Sequence, residues 1–120
     1  MKSFWPILLF SLFLLTFQQA SGLGVTTNEE EIELKAGSTI YKNICVACHT
    51  PGGKSPLEDL NLSDDKWKHG NSLETMQKII NQGVADTAMV GFAGKLSKEE
   101  IRAVAKYIQT FSSHSSQPKP

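Results

Sequence analysis

Cys45-Val46-Ala47-Cys48-His49 places two thiols three positions apart and an imidazole directly after the second. On a helix, positions three apart share a face about one turn apart, so both sulfurs reach one edge of a flat ligand while the next residue swings its ring beneath it. Residues of these types at this spacing are what covalent attachment of a c-type haem through its two vinyl groups requires. Other chemistries suit the surrounding chain less well. A thioredoxin-like redox pair needs its Cys-x-x-Cys inside a strand-helix-strand unit, and no convincing strand pattern flanks it here. A structural zinc site wants four ligands at recurring spacings, whereas His69 and His114 are distant and in no finger-like register with the cysteines. A plain disulfide, or cysteines without a role, completes the set of alternatives.

The elements that position this motif begin after an export signature. Lys2 precedes an apolar run from Phe4 to Phe17, and Ala20-Ser21-Gly22 supplies the small residues a signal peptidase accepts. That run is about 14 residues, short of the ~20 that cross a bilayer comfortably, so residues 1–22 are expected to be a secretory signal peptide rather than a membrane anchor. Export, to the periplasm or another extracytoplasmic space, agrees with the haem motif. Without the signal about 98 residues remain, one small domain whose own core is marginal at that size. The chain is formally neutral, and nothing in it points to nucleic acid.

Residues 23–33 carry Glu29, Glu30, Glu31 and Glu33 without clear periodicity and are expected to be a solvated acidic lead-in. From about Leu34 the pattern turns helical, with Ile40, Tyr41, Ile44 and Ala47 as an apolar stripe that runs into the motif. Gly37 weakens that helix locally, which makes sense if another backbone approaches there. Thr50-Pro51-Gly52-Gly53 stops it. Leu57, Leu60 and Leu62 follow in a loop and are expected to wall the proximal side of the haem, and Ser63 to Trp67 reads as a short capped turn anchored by Trp67. Ser72 caps a helix running to about Gln82, with Leu73, Met76, Ile79 and Ile80 on one face and Gly83 as its stop. Met76 is therefore a core residue and only a weak ligand candidate.

Gly83 to Gly94 has three glycines and no sustained period, so it reads as an irregular loop with Met89 in its middle. The last helix has a full start signature: Ser97 as N-cap, Glu100 completing a capping box, and Leu96 with Ile101 as hydrophobic staple. Ile101, Val104, Ala105, Ile108 and Phe111 mark its buried stripe. The tail 112–120, with His114, is expected to be disordered.

This order of parts resembles class I cytochromes c over residues 34–111. Within that class it is similar to the haem c domains of bacterial cbb-type oxidases and related small monohaem carriers. Asn61-Leu62-Ser63-Asp64-Asp65-Lys66-Trp67 and Ser72-Leu73-Glu74 carry the closer likeness. The resemblance implies an all-α cytochrome c-like fold, with roughly three to five short helices around one covalently attached haem and crossing N- and C-terminal helices. Gly37 and Tyr41 would then meet Tyr107 where the helices cross. It also implies His49 as proximal and Met89 as distal iron ligand, with the residue 60 backbone carbonyl accepting the His49 ring N–H. Two residues depart from the pattern: Val90 stands where a proline usually follows the ligand methionine, and Leu60 replaces a proline common before the Asn-Leu pair.

The function so implied is that of a monomeric, exported one-electron carrier without catalytic residues, exchanging electrons with a redox donor and acceptor. A membrane oxidase or dehydrogenase is a possible partner under this resemblance. The alternatives to Met89 as distal ligand are Met76, His69 or an open site, and the rival functions are a haem enzyme or gas sensor with an open distal site and a haem c subunit of a terminal oxidase or dehydrogenase complex.

Overall fold

The computed structural model describes residues 25–112. The expected signal segment and the expected tail beyond Ser112 lie outside these residues. Helix α1 spans Val25–Ile40, passes through a wider π turn at Tyr41–Cys45, and ends in the one-turn helix α2, Val46–His49. Tight 3-10 turns follow at Pro51–Gly53 and Glu58–Leu60, then helices α3, Leu73–Gln82, and α4, Lys98–Gln109. Among the described residues the regular structure is helical, and the extended pairings are isolated bridges of Gly83 with Val90 and Ala93 with Leu96. The all-α fold is the one the sequence implies.

The lead-in is not an irregular segment. Residues 25–33 are the first half of α1, which starts nine residues ahead of the expected Leu34. No apolar stripe announces this half, and Ile32 is 60% exposed. Its helicity comes instead from the glutamate run, which consists of good helix formers, and from the i, i+4 spacing of Glu31 and Lys35. Nor is every glutamate solvated. Glu33 accepts hydrogen bonds from Lys106 Nζ at 2.6 Å and Arg102 Nε at 2.8 Å, both on α4. The Lys106 hydrogen bond, more than the Arg102 contact, holds the Glu33 carboxyl below the usual range against the opposing effect of its partial burial.

α1 makes its most extensive contact with α4. At Gly37 the two backbones nearly touch: a Cβ there would lie 2.1 Å from the Ala103 carbonyl oxygen and 2.9 Å from Tyr107 Cβ. This is the close approach that a glycine inside a helix calls for. One turn on, Tyr41 is 1% exposed and its ring packs edge-on against Tyr107 at 5.6 Å and Phe111 at 5.0 Å. Its hydroxyl donates to the Thr50 carbonyl at 2.7 Å, which ties together the residues that flank the motif. Phe111 brings Ser112 with it, so Ser112 is buried rather than part of a loose tail.

The expected stripe of Ile40, Tyr41, Ile44 and Ala47 breaks at the π turn. Val46 N–H bonds the Tyr41 carbonyl, five residues back, and the extra residue rotates everything after it by about 100°. Cys45 and Val46 therefore pack on the core, while Ile44 and Ala47 are exposed. Residues 63–67 form no helical turn: the chain bends at 62–65 and is irregular at 66–67. Side-chain oxygens capture the backbone there: Asn61 Oδ1 accepts from Ser63 N–H and Asp64 Oδ1 from Lys66 N–H, a competition that short polar residues win over helix. α3 and α4 match their sequence signatures, with Ser72 and Ser97 as N-caps, Gly83 ending α3 and the full capping box at Ser97 and Glu100.

Gly37→Ala tests the helix contact. In an isolated helix the change would gain about 0.5–1 kcal/mol, whereas overpacking a closed contact costs about 1–3 kcal/mol, so a net loss of stability in denaturant unfolding is expected. Alkaline stability tests the burial of Tyr41, whose hydroxyl is pushed up to about 12, mainly by burial and further by neighbouring Cys45. The unfolded phenol ionises near 10.0 and the folded one later, so this contribution is complete below pH 10 and is lost as pH rises from about 10 to 12. Urea midpoints across that range should fall more steeply for the wild type than for Tyr41→Phe.

Candidate functional site

α2 ends abruptly because Thr50 adopts φ 61°, a conformation rare outside glycine, and turns the chain back under the motif. Gly53 then packs where a Cβ would lie 2.8 Å from Phe111 and 2.9 Å from Leu62. The following loop is fastened by Leu62 N–H to the Gly53 carbonyl at 2.8 Å and by Asn61 Nδ2 to the Ser55 carbonyl at 3.1 Å. These bonds fix Leu60, and its carbonyl oxygen stands 2.9 Å from His49 Nδ1. A carbonyl only accepts, so Nδ1 carries the proton and Nε2 keeps a free lone pair. A second bond of this kind sets both the tautomer and the ring orientation of a metal-binding histidine.

Cys45 is half-buried and Cys48 exposed. Burial pushes the Cys45 thiol up, the reverse of the depressed pKa that a thioredoxin-like nucleophile requires.

His49 borders a cavity of about 320 Å³. Its apolar wall includes Leu62, Met76, Ile80 and Ile108, joined by Leu60. Leu57, expected in that wall, is instead 61% exposed and outside it. Met89, on the loop between α3 and α4, lines the same cavity, and so does His69, which is exposed at its border. Met76 also reaches it but is 5% exposed and embedded in the core, as its place on the α3 stripe implies. The structure thus gathers His49, Met89, Met76 and His69 around one space.

The Met89 loop is anchored at both ends. Gly83, at φ 75°, ends α3 where any Cβ would lie 2.6 Å from the Met89 carbonyl oxygen. On the return, Phe92 N–H bonds the Ile80 carbonyl at 2.9 Å and Ala93 N–H the Asn81 carbonyl at 3.0 Å. Gly91 fits against the Gln82 backbone, which leaves no room for a side chain there.

A donor missed in the sequence also faces this space. Trp67 lines the cavity, and its indole Nε1 is buried without a hydrogen-bond partner. A buried unsatisfied donor costs about 1–3 kcal/mol, so the cavity suits a group that brings an acceptor with it. Sequence pointed to Trp67 only as an apolar anchor, because the burial of its N–H is set by the loops folded around it. Around it, Lys66 pairs with Glu58 at 3.1 Å and Lys68 with Asp59, joining the two loops that border the cavity. All four side chains are exposed, so each pair contributes little to stability. Cys45 and Cys48 precede His49 in the chain and are not among the residues that line the cavity. A flat apolar cofactor with carboxylate substituents and an iron needing nitrogen and sulfur ligands fits the lining: apolar walls, an orphan indole donor, a free imidazole nitrogen and a thioether.

Comparison with known proteins agrees. The family model described as "Cytochrome C oxidase, cbb3-type, subunit III" matches residues 33–108. The cbb3-type cytochrome c oxidase subunit FixP of Bradyrhizobium sp. (strain ORS 278) is 34% identical over 85 residues, covering 63% of this chain and 29% of that protein. Cytochrome c6 of Gracilaria tenuistipitata var. liui is 33% identical over 78 residues, covering 63% of this chain and 70% of the relative. Subunit CcoP of Rhodobacter capsulatus is 30% identical over 89 residues, with 68% of this chain and 30% of that subunit covered. The chain thus spans less than a third of these oxidase subunits and most of the length of the cytochrome c6. Covalent haem c is the cofactor of such cytochromes, and Cys45 and Cys48 are the two cysteines this chain offers it. The match extends from Glu33 in α1 to Ile108 in α4, across every element that builds the cavity, and the chain belongs to the cbb3-type cytochrome c oxidase subunit III family of c-type cytochromes.

Proposed function

We propose that the protein is a one-electron carrier with a single haem c joined to Cys45 and Cys48, with His49 as proximal and Met89 as distal ligand. The observation that carries this reading is the His49 Nδ1 bond to the Leu60 carbonyl, which leaves Nε2 free at the border of a cavity that Met89 also lines. When bound, the haem supplies an iron that cycles between ferrous and ferric states. The protein's residues set how readily. His49, oriented by a rigid loop, offers a fixed imidazole. Met89 offers a thioether, which favours ferrous iron and raises the potential. The apolar residues of the wall would limit water around the iron, and Trp67 would offer its indole N–H to a carboxylate of the cofactor. His49 and Met89 together would hold the iron and leave no coordination site for a substrate, so the role would be transfer rather than catalysis.

The family and the FixP and CcoP relatives support a membrane oxidase as redox partner, and cytochrome c relatives support an extracytoplasmic location. Among the described residues no helix is long and apolar enough to cross a membrane. On this reading residues 1–22 are a signal peptide and residues 34–111 the haem domain. The similarity to oxidase subunits also favours a second reading, in which the domain works docked within an oxidase complex rather than as a free carrier.

Cys48→Ala should retain haem poorly, whereas haem on the wild type should survive acid-acetone extraction and denaturing electrophoresis. Quantitative release from the wild type would remove the covalent assignment. For the axial pair, ferric wild type should show the weak near-infrared charge-transfer band of methionine ligation, and the ferrous form should bind carbon monoxide slowly. Met89→Ala should lose the band, lower the potential and open the iron. Met76→Ala should instead cost about 2–5 kcal/mol of stability and keep the band. Loss of the band in Met76→Ala alone would move the ligand to α3.

A further inference from the structure

The loop that carries Met89 holds its own device for aiming that residue. Its turn runs from Val84 to Thr87, where Thr87 N–H meets the Val84 carbonyl at 3.3 Å. The Thr87 hydroxyl donates to the same Val84 carbonyl at 2.9 Å and accepts the Met89 N–H at 3.1 Å. The Met89 carbonyl in turn accepts from Val84 N–H at 2.9 Å. Both backbone groups of Met89 are therefore held, one by Val84 directly and the other through a single hydroxyl. Nothing else in the following residue stiffens the chain: Val90 is 55% exposed, and valine does not lock φ as a proline would.

We propose that Thr87 is the positioning residue for Met89, its hydroxyl bridging Val84 and Met89 so that the thioether is presented to the cavity in one orientation. Thr87 is exposed and lies outside the core, so its hydroxyl matters little to the stability of the fold. Its effect is on how often Met89 leaves its place. The proposal rests on Met89 being the distal ligand, and its test separates the two.

The experiment uses the holoprotein with Thr87→Val, which keeps the shape and removes the hydroxyl, Thr87→Ser, which keeps the hydroxyl, and Met89→Ala. Carbon monoxide binding to the ferrous form reads the rate at which the distal position opens, and the ferric near-infrared band reads methionine ligation. Thr87→Val removes both hydroxyl hydrogen bonds, of which only the one from Met89 N–H holds the ligand residue itself. The loss of one hydrogen bond of ordinary strength corresponds to roughly fivefold in an equilibrium, so this variant should bind carbon monoxide at least about fivefold faster than wild type. Its band should also disappear at a lower denaturant concentration, with the global unfolding midpoint nearly unchanged. Thr87→Ser should restore both readouts. If Thr87→Val lowers only the unfolding midpoint and leaves the carbon monoxide rate as in wild type, or if serine fails to rescue, the positioning role is overturned while Met89 ligation, checked by Met89→Ala, stands. A wild type without the band overturns both.

Discussion

Backbone contact between α1 and α4 at Gly37 is the constraint from which the rest of the structure follows. With no side chain between the helices, Ala103 and Tyr107 close on α1. That proximity buries Tyr41 and lets its hydroxyl reach Thr50, so the crossing is connected directly to the residue that follows the haem motif. The Glu33 pairs with Arg102 and Lys106 add charge to the same interface, but they are partly exposed and of modest worth. Apolar packing at the crossing is the larger contribution. It extends through Val104, Ala105 and Ile108 to the α3 side chains Met76 and Ile80.

From this scaffold the site is built mostly by backbone. One carbonyl, that of Leu60, decides the tautomer of His49. Another, that of Val84, together with the Thr87 hydroxyl, organises the Met89 loop. Carbonyls and turns can do this without particular side chains, which is why a leucine serves at position 60. The π turn at Tyr41–Cys45 has a similar role, because the added residue rotates Cys45 onto the core side and leaves Cys48 exposed. Wider helical turns of this type recur at functional sites for this reason.

Much of this was legible in the chain because it is written in strong local signals. The Cys45 to His49 spacing, the Ser72 and Ser97 caps, the α3 and α4 stripes and the glycine at 37 each have one dominant physical meaning, and the structure bears out the helices and the close approach. What was not legible depends on competition or on distance. The first half of α1 has no apolar period, so only the propensity of its glutamates and their i, i+4 spacing to lysine favour it. Residues 63–67 carried a capping signature, but Asn61 and Asp64 took the backbone N–H groups for themselves. The stripe through Ile44 and Ala47 assumed 3.6 residues per turn in the one place where the helix widens. Trp67 and Thr87 gave no local sign of their roles, since a buried indole N–H and a bridging hydroxyl acquire meaning only from residues placed around them by the fold.

On the proposed ligation, His49 and Met89 hold the iron of this cytochrome between them. The most direct measurement is the proton NMR spectrum of the reduced holoprotein with methionine methyl groups isotopically labelled. A methyl group ligated above the porphyrin plane experiences its full ring current, so the Met89 resonance should lie far upfield of every ordinary methyl, while Met76 stays in the range of a packed core residue. If every methionine methyl falls in the ordinary range, or if the shifted resonance belongs to Met76, the arrangement described here is contradicted.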